Sequence, residues 1–229
     1  MRRSERLGDA ARTTIRGLGE LLITAGLVLL LFCVYQLIWT NVLADRATHR
    51  VTSDLRDEWR RPPSGPLKLS DKDFGKGFAF LHIPRLGRHW QVPVVQGVDL
   101  PDLARGVGHY PQTALPGEVG NFAVAGHRAT NGEPFAYLDQ VRARDQLVVE
   151  TQQTWYTYVV DKVQIVQPTA LWVLEPVPGH PHQRPSQELI TLTTCNPRWA
   201  SYQRLIVFGH LVAQQPTVDG RPPALTGRA

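Results

Sequence analysis

Two cysteines in 229 residues, Cys33 and Cys195, are too few for a disulfide scaffold. Lysine is nearly missing as well. Lys68, Lys72, Lys76 and Lys162 are the only four, so 21 of the 25 basic residues are arginine. Excess charge is absent from most of the chain. The net charge is +5, but residues 1–16 carry Arg2, Arg3, Arg6, Arg12 and Arg16 against Glu5 and Asp9, a net of +3. The remainder is too thinly spread to form a basic groove, which excludes nucleic acid as a partner. Internal repeats are lacking, and so is an acidic cluster suited to calcium. Apolar runs long enough to cross a bilayer are missing too, with one exception.

That exception is residues 21–39, nineteen residues without a charge. At ~1.5 Å per residue they span about 28 Å, which matches a bilayer core. Tyr35 and Trp39 stand at its far end as interfacial anchors, and the arginines ahead of it predict a cytoplasmic N-terminus. A cleaved signal peptide is the competing reading. The run exceeds a usual signal h-region and no small-x-small site follows it, so an uncleaved single-pass anchor is favoured. Cys33 then lies in the membrane and Cys195 is a free thiol on the exterior, where free thiols are uncommon unless used or buried.

The chain divides on this basis into a basic cytoplasmic tail (1–20), a transmembrane signal-anchor (21–39), a stalk (40–77), a folded domain (78–213) and a tail (214–229). In the stalk, residues 44–60 are charged and suit a short juxtamembrane helix, 61–66 form a Pro-rich linker, and 67–76 are expected to be loosely held. The tail has no periodic apolar content and is expected to be disordered. In the domain, residues 78–83, 90–95, 122–125, 146–150, 155–166, 171–174, 189–194 and 205–212 read as strands, with helical pieces at 100–104 and 135–140. Eight short strands with few helices predict an all-β fold, closed so that no edge is exposed.

Two strand ends carry the chemistry. L-I-T-L-T-T-C-N-P puts Cys195 at the end of one strand and Arg204 at the mouth of the next. If those strands pair, thiol and guanidinium open onto one rim, as nucleophile and as stabiliser of developing negative charge. A buried structural cysteine is the other reading of Cys195. N-F-A-V-A-G-H-R-A-T puts His127 at the junction of a small-residue strand and a loop. Among the other seven histidines, His180 and His182 could suggest a metal site, but one-residue spacing on a Pro-rich loop argues against it. Neither a metal nor a cofactor is predicted.

T-L-T-T-C with an arginine nine residues on, preceded by G-H-R-x-T, resembles the signature of the sortases, membrane-anchored transpeptidases of Gram-positive bacteria. The blocks G-V-G-H-Y-P (106–111) and T-A-L-P-G-E-x-G-N (113–121) resemble the actinobacterial class D/E branch, class E above all. The resemblance implies an eight-stranded β-barrel whose catalytic residues are His127, Cys195 and Arg204. It implies a substrate protein bearing an LAxTG or LPxTG signal, cut between Thr and Gly through a Cys195 thioacyl intermediate and joined to a peptidoglycan precursor amine. In class E a tyrosine in the loop before the histidine strand accompanies the LAxTG signal, and Tyr110 holds that place, either as a substrate contact or as rim packing. Thr193 and Thr194 would add substrate contacts. The implied location is the cell membrane, with the catalytic domain outside. A secreted cysteine protease, a pilus-assembling sortase and a non-catalytic tethered β-domain remain as alternatives.

Overall fold

The computed structural model describes residues 2–63 and 65–227. It divides into two units, Met1–Thr40 and Asn41–Ala229. Helix α1 (Arg2–Glu58) supplies the described residues of the first and the start of the second. Residues 36–58 contain neither Gly nor Pro, so nothing breaks the helix until Pro62 and Pro63. Within it Thr14–Tyr35 is long and apolar enough to cross a membrane, with a mean hydropathy of 2.3. This segment starts earlier than the expected 21–39 and takes in Arg16 and Glu20, which pair with each other at 3.1 Å one turn apart. The side chains of Arg2, Arg3, Arg6 and Trp39, to which topology and anchoring roles were assigned above, lie outside the described residues.

The second unit is a closed eight-stranded barrel in the order β1-β2-β3-β4-β7-β8-β6-β5. The strands are β1 (Gly77–His82), β2 (Gln91–Gln96), β3 (Val107–His109), β4 (Gly120–Ala125), β5 (Gln146–Glu150), β6 (Thr154–Val166), β7 (Glu188–Asn196) and β8 (Gln203–Pro216). β2–β3 and β4–β7 are parallel pairs, and the rest are antiparallel. Leu81, Val94, Phe122, Val124, Val149, Tyr158, Ile190, Leu192 and Val207 form the core. Helix α2 (Leu100–Leu103) connects β2 to β3 within the stretch expected to be helical.

The inventory departs from expectation in one exchange. Residues 171–174, expected as a strand, form a 3-10 turn, Leu171–Leu174, while the three-residue β3 had no counterpart. A four-residue apolar run has no periodicity by which strand and helix can be told apart. Instead of pairing, this turn packs Val173 against Ile206 and Phe208. Of the expected helical piece 135–140, only Leu138–Gln140 is helical.

The stalk and the tail are built into the second unit. Leu55 is 3% exposed, and Leu67 and Leu69 pack on the barrel core. The Arg56 guanidinium forms a bidentate pair with Glu150 at 2.5 and 2.8 Å, and Glu150 also meets His82 Nε2 at 2.9 Å. At the other end β8 runs on to Pro216, where Gln214 and Gln215 pair with Tyr156 and Trp155. Helix α3 (Pro223–Thr226) then buries Leu225 against Val148 and Trp155. Backbone ladder bonds need no apolar periodicity, so a polar tail is ordered here where composition predicts disorder.

Candidate active site

The parallel pair β4–β7 creates the site. Ala125 lies opposite Thr193, and two residues further along each chain stand His127 and Cys195. Parallel neighbours run about 4.8 Å apart in the same direction, so His127, just past the end of β4, follows the strand that lies beside the end of β7, where Cys195 stands. The exit is stitched: Gly126 N–H donates to the Thr193 carbonyl at 3.1 Å, and the Thr194 hydroxyl donates to the Gly126 carbonyl at 2.7 Å. Glycine is required before the histidine. A Cβ at Gly126 would stand 2.5 Å from the Phe135 ring.

Cys195 is half-buried and lies directly opposite Arg204 in the antiparallel β7–β8 pair, so both side chains share one face of the sheet. Arg204 Nη1 donates to the carbonyls of Ser201 and Gln203 at 2.8 and 2.9 Å. That grip fixes one end of the fork and leaves Nε and Nη2 without a partner among the described residues. Thr193 is on the Cys195 face, and its hydroxyl lies 3.2 Å from Tyr110 Oη. Tyr110, Thr193, Arg204, Leu171, Leu174 and Ile206 line one cavity of about 60 Å³. Larger cavities of about 470 and 370 Å³ are lined by residues 47–58 of α1 with the β1 edge and its neighbours, and include none of these side chains.

Five of the six candidate residues thus converge: His127, Cys195, Arg204, Tyr110 and Thr193. Thr194 points to the opposite face, is 3% exposed and uses its hydroxyl on Gly126, so here it braces the site from within. His127 is half-buried, and its Nε2 is enclosed with no hydrogen-bond partner. Burial holds its pKa below the ordinary 6.5, so the ring is neutral near pH 7. Sequence reasoning gave no role to the next residue, Arg128. Its guanidinium, 5% exposed, reaches the Cys195 carbonyl at 3.2 Å, Asn196 Oδ1 at 2.7 Å and Asp139 Oδ1 at 3.1 Å. The only prior sign of it was its presence in the G-H-R motif.

A closed barrel that brings a thiol, a neutral imidazole and a guanidinium to one rim can perform acyl transfer through the sulfur. The family model for the sortase domain matches residues 81–212, and the chain belongs to the sortase family. "Sortase SrtE1" of Streptomyces coelicolor is 40% identical over 224 residues, covering 94% of this chain and 62% of that protein. The chain thus spans less than two thirds of that relative. "Sortase SrtE2" of the same organism is 37% identical over 95% of this chain and 90% of its own length. The solved sortase E from Streptomyces avermitilis is 44% identical, with a TM-score of 0.61 over 66% of this chain and 98% of that one. These relatives define the branch: this is a class E sortase.

Proposed function

We infer that the protein is a membrane-anchored transpeptidase that cuts an LAxTG-type sorting signal between Thr and Gly and joins the new carboxyl end to a peptidoglycan precursor amine. The observation that carries the reading is the convergence of Cys195, His127 and Arg204 on the rim beside the Tyr110–Thr193 cavity. Neutral His127 takes the Cys195 thiol proton, and the thiolate attacks the Thr–Gly carbonyl. Arg204 hydrogen-bonds the resulting oxyanion through the part of its fork not held by Ser201 and Gln203. Imidazolium returns its proton to the departing Gly amine, which leaves a Cys195 thioester and neutral His127. The incoming amine then loses its proton to His127 as it attacks the thioester, and the thiol is restored. No cofactor enters this sequence of steps.

Thr14–Tyr35 serves as the membrane anchor, with the barrel outside the cell. Tyr110 favours Ala over Pro at the second signal position, because Ala keeps a backbone N–H that Pro lacks.

The test is incubation of the protein with LAxTG and LPxTG peptides and an amine acceptor, beside Cys195→Ala. Product joined to the amine, lost in Cys195→Ala, is expected, with LAxTG preferred. Hydrolysed peptide alone would make the protein a cysteine protease. Turnover by Cys195→Ala would remove the nucleophile from the reading. Protease added to intact protoplasts should strip the barrel, and its protection would overturn the topology.

A further inference from the structure

A guanidinium that is 95% shielded from solvent calls for an explanation, because burying a charge is unfavourable unless it is well paired. Arg128 is poorly matched for that position. Its one carboxylate partner, Asp139, is 56% exposed, and its Nε is enclosed with no partner. A stabilising role would favour a closed bidentate pair. The two other partners of Arg128 both bear on the candidate nucleophile. The chain turns directly from His127 into Arg128, whose Nη1 crosses to the Cys195 carbonyl and to the Asn196 side chain. Asn196 passes the link on, donating from Nδ2 to Gln203 Oε1 at 3.0 Å, next to Arg204. One side chain therefore joins the histidine strand exit to the backbone of the cysteine and, through Asn196, to the start of β8.

The need for such a brace follows from the register. The β4–β7 ladder ends at Ala125 and Thr193, and Gly126 is the last residue to bond across it. Cys195 stays paired with Arg204 in β7–β8, but His127 lies beyond the end of β4, and no pairing between β4 and β7 fixes its separation from Cys195. Asn196-Pro197 then turns the chain away, and Pro197 has no N–H to offer a neighbouring strand.

The geometry points to Arg128 as a positioning residue that holds Cys195 at working distance from His127 by fixing the Cys195–Asn196 backbone. This rests on Cys195 and His127 being the catalytic pair. Arg128 touches no reacting atom in this scheme. It acts on the orientation of the thiol, and a displacement near 1 Å of a reacting group lowers a rate by ~10²-fold. Lysine would keep the charge but cannot span two acceptors with a planar fork.

The experiment uses the full chain in detergent, an LAxTG peptide and an amine acceptor, with kcat and KM measured separately. Arg128→Lys and Arg128→Met are expected to lower kcat by about 10- to 100-fold while KM stays within about twofold and the thermal midpoint shows a folded protein. Methylguanidinium added to Arg128→Ala should restore several-fold activity, and a purely structural role would not predict that. A folded Arg128→Met with wild-type kcat overturns the proposal, as does a rise in KM at unchanged kcat. If the Arg128 variants do not fold, Asn196→Ala decides, since it removes the shortest of the Arg128 bonds. A several-fold lower kcat supports the brace, and an unchanged kcat sinks it. Turnover by Cys195→Ala in the same assay would mark failure of the underlying reading, separate from any Arg128 result.

Discussion

Two arginines on the second unit, Arg56 half-buried and Arg128 buried, are treated in opposite ways. Arg56, near the end of α1, meets Glu150 with both arms of its fork, lies over the Phe80 ring at 4.2 Å, and shares Glu150 with His82. Each ionised group there is matched. Arg128, beside the candidate catalytic pair, divides itself among a carbonyl, an amide oxygen and an exposed carboxylate, and leaves Nε without a bond. The adjacent His127 likewise encloses an unused Nε2. The α1 cluster satisfies its own polar groups and so adds to stability. The rim keeps hydrogen-bonding capacity in reserve, which a reaction can draw on and a resting fold cannot.

The comparison can be broken from either side, and the largest effect is expected at the rim. His127→Ala should reduce amine-dependent turnover by ~10²–10⁴-fold, the usual worth of a general acid–base. It should shift the unfolding free energy by less than about 1 kcal/mol, because Nε2 holds nothing. Parallel loss of stability and activity would show that the rim is also a stability device. Next comes Glu150→Gln, which strips the charge from the α1 cluster and leaves Arg56 and His82 facing a neutral amide. With Arg56 39% exposed, the pair is partly screened, so a loss of about 1–3 kcal/mol is expected in denaturant unfolding, with kcat per folded molecule unchanged.

The same cluster sets a pH dependence. Burial pushes the Glu150 carboxyl up, but the hydrogen bonds from His82 and Arg56 more than reverse this and hold it below 4.5. A carboxylate lowered in the folded state contributes stability that is present above its unfolded value and lost as pH falls through the folded one. The thermal midpoint should therefore drop on acidification below about 4.5, and Glu150→Gln should flatten that slope. An identical slope in the variant would assign acid sensitivity elsewhere. The smallest effect is Tyr110→Phe, which removes the 3.2 Å contact with Thr193 and a hydroxyl from the cavity. One net hydrogen bond is worth ~0.5–1.5 kcal/mol, so the LAxTG over LPxTG ratio of kcat/KM should narrow about two- to twelvefold. An unchanged ratio would leave Tyr110 as rim packing.

Legibility in the sequence followed the same division. The rim could be read because its residues end strands: T-L-T-T-C and F-A-V-A-G-H are runs of β-branched or small residues stopped by turn signals, and Arg204 falls opposite Cys195 by simple hairpin register. Arg128 could not be read. Its role depends on a crossing between β4 and β7, and no local pattern encodes which backbone carbonyl an arginine will reach. The α1 cluster was hidden for a related reason. Val51, Leu55 and Trp59 recur every fourth residue, but the many charges between them read as a solvated stalk. Glu150, 94 positions from Arg56, supplies the partner that makes the charge a docking device. The exchange of 171–174 for β3 has a third cause. Val107–His109 is a short strand made by its parallel neighbour β2 rather than by its own propensity.

The parallel pairing of β4 with β7 also sets the order in which the protein becomes competent. His127 and Cys195 are separated by the whole of β5, β6 and the turn at Leu171–Leu174, and β8 must arrive before the barrel closes. A chain emerging from the ribosome therefore carries its histidine long before its thiol, and holds both before Arg204 has a strand to occupy. Contacts this distant in sequence form late and slowly. A half-made molecule is in consequence unassembled at its rim: the sulfur has no fixed neighbours until the last long strand has locked the ring.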